Sequence, residues 1–144
     1  MAILTVSIQE EVTIQGKNFN VTNTHEFAAD EVIHRIVDLT GTETSLVLFD
    51  TIDAAGTIKD TQLSYLRITN LDTSEAITLR IGNATEEYGV RVVAGGSYIL
   101  TLDKMDAHDN IAATGEAVLS LAQIDSIKGA SSSGTVQVEI FATH

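Results

Sequence analysis

The chain has 144 residues with no cysteine, proline or tryptophan, a length that suits one ordinary domain. Without cysteine, a disulfide scaffold, cysteine-ligated zinc, iron–sulfur clusters and thiol catalysis are excluded. Twenty acidic against eight basic side chains give a formal charge of -12, which repels phosphate backbones and anionic membranes and argues against direct nucleic-acid or membrane binding.

The opening MAILTVSIQEE lacks the charged n-region and long apolar core of a signal peptide, and no apolar run approaches the roughly 20 residues that cross a bilayer. Threonine, isoleucine and valine make up 45 of the 144 residues, a β-branched excess that predicts strands. Leu4, Val6, Ile8, Val12 and Ile14 share one parity against polar neighbours, the period-2 pattern of a half-buried strand broken by Glu10 alone. Gln15-Gly16-Lys17-Asn18 is a turn and Phe19-Asn20-Val21 resumes extended structure, so residues 3 to 24 read as a hairpin. Residues 1 to 14 could also serve as an exchanging arm, because a strand this close to the chain start adds to a neighbour's sheet as readily as to its own.

After a polar stretch ending at Asp30, VIHRIVDL is read as a strand closed by Thr40-Gly41-Thr42, and LVLF at 46 to 49 as a buried strand. TIDAAGTIKD is a loop. YLRITNLD, ITLRIG, YGVRVV and SYILTL follow as four strands; Ile77, Leu79 and Ile81 face one way, Thr78 and Arg80 the other, and Gly95-Gly96 signals a hairpin. DKMDAHDNIAATGEA is the least extended stretch, VLSLAQIDSI a strand, GASSSG a flexible turn, and Val136, Val138 and Ile140 alternate inward in a last strand. There is no repeat and no linker that would split the chain. The expectation is one all-β domain over residues 1 to 144, an antiparallel β-sandwich of eight to ten strands.

No motif for chemistry emerges. Asp103, Asp106, His108 and Asp109 put three carboxylates and an imidazole within seven residues, but the spacing is not that of an EF-hand, and a solvated acidic loop explains them better. His25, His34, His108 and His144 never fall at zinc spacing; His34 is expected to be partly buried and His144 to fray. G-x-S-x-G is absent, and Ser97 after two glycines is explained by turn geometry. Adjacent carboxylates such as Glu10-Glu11 point to opposite faces of a strand, which does not make a shared acid/base site. No cofactor is expected.

Surface hydrophobicity stands out instead. Val93, Ile99, Leu119, Leu121 and Phe141 have the parity opposite to the inferred core face, so both faces of some strands need cover, from the chain itself or from another subunit. Val93, Ile99 and Phe141, with the outward Arg67, Arg80 and Arg91, are the candidate contact residues for a homo-oligomer or another partner.

The stretch YLRITNLDTSEAITLRIGNATEEYGVRVVAGGSYIL resembles small structural proteins of tailed bacteriophages, through Ile68-Thr69-Asn70-Leu71-Asp72, Ile77 to Ile81 and Gly95-Gly96-Ser97-Tyr98; VQVEIFATH is similar to their last strand. The resemblance implies a jelly-roll-like virion component, most plausibly a capsid decoration protein that binds the major capsid protein across capsomer junctions from the outside. It carries over no catalytic residues. A tail or fibre-associated protein is the nearest alternative. A carbohydrate- or receptor-binding module is another, and it would need Tyr65, Tyr88 or Tyr98 in an exposed groove; a small glycan-processing enzyme ranks last.

Overall fold

In the computed structural model, the described residues are 2–50, 57–59, 62–84, 87–101, 107–108, 118–119 and 124–144. They form thirteen strands and no helix. Two antiparallel strands, β1 (Ala2–Ile14) and β2 (Lys17–Ala29), pair along their full length into a ribbon of their own. Then come β3 (Val32–Leu39), β4 (Thr44–Asp50), the two-residue β5 (Ile58–Lys59), β6 (Tyr65–Asn70), β7 (Ile77–Gly82), β8 (Glu87–Val92) and β9 (Ser97–Thr101). The short β10 (Ala107–His108) and β11 (Val118–Leu119) pair with each other, and β12 (Ser126–Ser131) and β13 (Val136–Thr143) complete the chain.

One sheet has the order β3-β13-β6-β9 and the other β5-β4-β12-β7-β8. Leaving aside β5, which pairs parallel with β4, the eight remaining strands divide equally between two antiparallel four-stranded sheets. Counted in chain order they run first-eighth-third-sixth and second-seventh-fourth-fifth, the strand order of a jelly roll. The expected all-β, jelly-roll-like sandwich is therefore the fold, with nine strands in its two sheets.

Alternation builds the core. Ile77, Leu79 and Ile81 are fully buried against Leu66, Ile68, Val136, Val138 and Ile140 of the facing sheet, while Thr78 and Arg80 face outward. A β-bulge breaks the rhythm in β4: the partner of β12 steps from Val47 to Ser45 between Ile127 and Lys128, and the extra residue turns both Leu46 and Val47 inward.

Four sequence readings change. The hairpin does not end at residue 24, since β2 runs on to Ala29 through the polar stretch before Asp30. The first half of GASSSG is strand: Gly129–Ser131 end β12, and a Cβ on Gly129 would lie 2.8 and 2.9 Å from the Cδ1 atoms of Leu39 and Leu46, so glycine there leaves room for two core leucines. Gly95-Gly96 joins no hairpin, since β8 and β9 lie in different sheets; it is a corner, with Gly95 at φ 69° and the Gly96 amide donating to the Val93 carbonyl at 2.9 Å. His144 does not fray: its carbonyl accepts from the amides of Asp30 and Glu31, both at 2.8 Å, and its Nε2 lies 3.3 Å from Glu31.

Asn70, from the Ile-Thr-Asn-Leu-Asp motif, is buried and ties three segments together. Its Nδ2 donates to the Glu75 carbonyl at 2.8 Å and the Val92 carbonyl at 3.3 Å, and its Oδ1 accepts from the Asp72 amide at 3.0 Å. Asp72 in turn accepts from the amides of Ser74 and Glu75, which hold its carboxyl below the usual carboxylate range. The motif is thus a structural knot at the start of the β6–β7 loop.

Candidate functional site

The ribbon defines the most unusual surface. Ile14 and Lys17 close a two-residue turn in which Gln15 and Gly16 both take positive φ, 51° and 79°, the geometry that matches the right-handed twist of paired strands. From that turn the register places Ile14, Val12, Ile8, Val6 and Leu4 on the same face as Phe19, Val21, His25 and Phe27. The opposite face is polar, with hydroxyl pairs such as Ser7–Thr24 at 3.1 Å.

The sequence reading of β1 as a half-buried strand is right in period but not in cover. Leu4 and Val6 are half-buried, whereas Ile8, Val12, Ile14, Phe19 and Val21 are each about half or more exposed. Among the described residues, the ring contacts of the stripe with the sandwich lie at its base. The Phe27 ring packs 5.6 Å from that of Tyr65, which meets Phe141 edge-on at 6.3 Å, and Phe141 lies 6.1 Å from His34. These aromatics bring the ribbon's base against the outer face of the β3-β13-β6-β9 sheet, where Tyr65 is 4% exposed.

That outer face brings together three of the six candidate contact residues. Register aligns His34, Phe141, Arg67 and Ile99 in one row across β3, β13, β6 and β9. In the next row Ile36, Glu139, Thr69 and Ser97 lie side by side. Glu139 links the rows, with Oε2 accepting from Arg67 at 2.8 Å and Oε1 lying 2.9 Å from His34 Nε2. The hydrogen bond with His34 and the charge of Arg67 hold the Glu139 carboxyl below its ordinary range against a burial effect of opposite sign. Val32 and Ile36 on the edge strand are exposed, and Ile99 and Phe141 are half-buried. His34 is exposed rather than partly buried, because its parity points away from the core.

The other three candidates lie elsewhere. Arg80 and Arg91 are exposed on the outer face of the second sheet, and Val93 sits in the β8–β9 corner. Arg80 is engaged by its own chain, 3.3 Å from Glu43 and 3.4 Å from Glu87. Asp103, Asp106, Asp109 and Leu121 fall outside the described residues, as do the side chains of His108 and Leu119. Among the described residues no group of His, Asp or Glu could hold a metal ion, and no helix is long and apolar enough to cross a membrane.

The tyrosines serve packing. Tyr88 and Tyr98 join hydroxyl to hydroxyl at 3.0 Å, bridging the edges of the two sheets, and burial with the Tyr88 contact raises the Tyr98 phenol well above its ordinary range. Ser97 Oγ pairs with Thr69 Oγ1 at 2.9 Å, with no base beside it among the described contacts.

The bare stripe on the ribbon is what sequence reasoning missed. A usable signal was length: two successive strands of 13 residues exceed the roughly 5 to 6 typical of sandwich strands, so their outer halves have no sheet to lie on. No family model, curated protein or solved structure matches this chain.

Proposed function

We propose that this chain is a non-enzymatic structural subunit of a tailed-phage particle, a capsid decoration protein that binds the major capsid protein across capsomer junctions and stabilises the shell. The observation that carries the reading is the gathering of bare apolar surface on the ribbon and the adjoining outer sheet face, a surface suited to burial against other protein. The resemblance of the central strands to phage structural proteins supplies the particle. A jelly roll suits the part, although the fold hosts many functions and supports the reading only in company with the surface. Many copies on a lattice turn a modest single contact into strong avidity, and a charge of -12 favours the outside of a shell over its DNA-facing side.

The test is co-sedimentation of the purified chain with heads stripped of their decoration protein and, separately, with tail tubes of the phage that encodes it. Saturable retention on heads, in simple ratio to capsomers and with a higher disruption temperature of the shell, is expected. Retention on tail tubes alone would move the protein to the tail, and retention on neither would overturn the virion reading.

A further inference from the structure

We propose that the outer half of the ribbon is covered by a second copy of this chain, lying across the exposed part of that copy's β3-β13-β6-β9 sheet, so that each subunit gives one arm and receives one. The inference needs the bare surface described above but not the virion. Three features of the molecule name this occupant.

The first is reach. At about 3.3 Å per residue the ribbon is roughly 43 Å long, while four strands about 4.8 Å apart make a face only about 19 Å across. The chain's own sheet takes the base through Phe27 and Tyr65, and the right-handed twist of a two-stranded ribbon turns the outer rows away from the plane of that contact. A two-stranded hairpin is marginal by itself in water, so the outer rows gain most from a partner in trans.

The second is continuity of chemistry. The base of the stripe already docks on this outer face through Phe27, Tyr65 and Phe141. Beyond that contact the same face continues with Ile36, Ile99 and the remaining surface of Phe141, so a neighbour's arm would extend an existing type of contact. Area fits as well. Five side chains about half exposed, at roughly 200 Å² each, leave on the order of 500 Å² bare on the arm, and burying it against an equal area reaches the ~1,000 Å² of a specific interface.

The third is charge. Two copies at -12 repel unless acids meet bases at the contact. Lys17 at the arm's tip complements the exposed Asp38 of the receiving face, and Glu10, the one carboxylate in the arm's apolar stripe, faces the side of the sheet where Arg67 and His34 already share Glu139. Donor and acceptor are different surfaces of one subunit, so the contact closes either as a reciprocal two-fold pair or, head to tail, as a ring.

Because the chain has no cysteine, single substitutions report the contact directly. Val21→Cys on the arm and Ile36→Cys on the sheet, both exposed positions, are made in separate batches, mixed and treated with a short bis-maleimide, with light scattering in parallel at micromolar concentration. A two-chain product joining the two batches and an oligomeric mass are expected. Adding Val12→Glu and Phe19→Glu to the arm, with the circular dichroism of the sandwich unchanged, should abolish the product and weaken self-association roughly 30-fold or more. A monomeric mass would overturn the proposal. So would closure of the two cysteines within one doubly substituted chain, which means the arm folds onto its own sheet, or products between Val21→Cys copies alone, which means arm packs on arm. Self-association without retention on heads would sink the decoration role and leave this inference standing.

Discussion

Replacing Asn70 with alanine tests whether the buried amide, rather than general packing, holds the β6 end, the following loop and the end of β8 together. The side chain is fully buried and makes three hydrogen bonds, two as donor and one as acceptor. At a net 0.5–1.5 kcal/mol each, their loss amounts to about 3 kcal/mol, since three backbone groups also lose a partner. With a urea m-value of about 2 kcal/mol/M, the midpoint of unfolding falls by roughly 1.5 M. Asn70→Asp discriminates further. It keeps the acceptor but turns both donors into a carboxylate facing two carbonyls, so at neutral pH it destabilises at least as much. Because such a carboxyl titrates above its usual range, N70D should regain part of the loss as pH falls and the protonated group donates one bond. A drop below about 1 kcal/mol for N70A, or an N70D variant that matches the parent at pH 7, would refute the reasoning.

Gly129→Val forces methyl groups into the contact with Leu39 and Leu46, and overpacking of this kind should cost about 1–3 kcal/mol by urea denaturation; an unchanged midpoint would mean the two leucine side chains give way freely there. In alkaline titration followed by tyrosine absorbance, Tyr65 and Tyr98 should ionise late, the former mainly through burial, so their rise should coincide with unfolding. Their neutral forms are favoured in the fold, so this contribution is full below the ordinary tyrosine range of about 10 and is lost as pH rises. Glu139 has the opposite sign: its depressed carboxyl contributes stability above the ordinary glutamate range and loses it as pH falls through the folded value, so Glu139→Gln should flatten the acid limb of the stability curve.

Much of the sandwich was legible because alternation is a local signal. Ile77, Leu79 and Ile81, and Val136, Val138 and Ile140, declare their buried face in strands that lie against one core and face solvent on the other side. The same rule failed at Gly95-Gly96 and at GASSSG. Glycine and serine mark turns by their freedom, but here one pair makes a corner between sheets and Gly129 gives room to two leucines from distant strands. Neither use has a local signature. The candidate contacts divided likewise: Arg67, Ile99 and Phe141, far apart in the chain, share a row because β6 lies between β13 and β9, whereas Arg80 points as expected and is neutralised by Glu43 and Glu87.

By itself the sequence determined an acidic, cysteine-free, β-rich chain with one or both faces of each strand apolar, since composition and period depend only on neighbouring residues. Tertiary structure decided what covers those faces. The alternation of Leu4, Val6, Ile8, Val12 and Ile14 is indistinguishable from that of a core strand, yet β1 pairs with β2 alone among the described strands, and the outer rows of their apolar face stay exposed beyond the Phe27 contact. Periodicity states that a face is apolar; long-range pairing alone states whether it is filled.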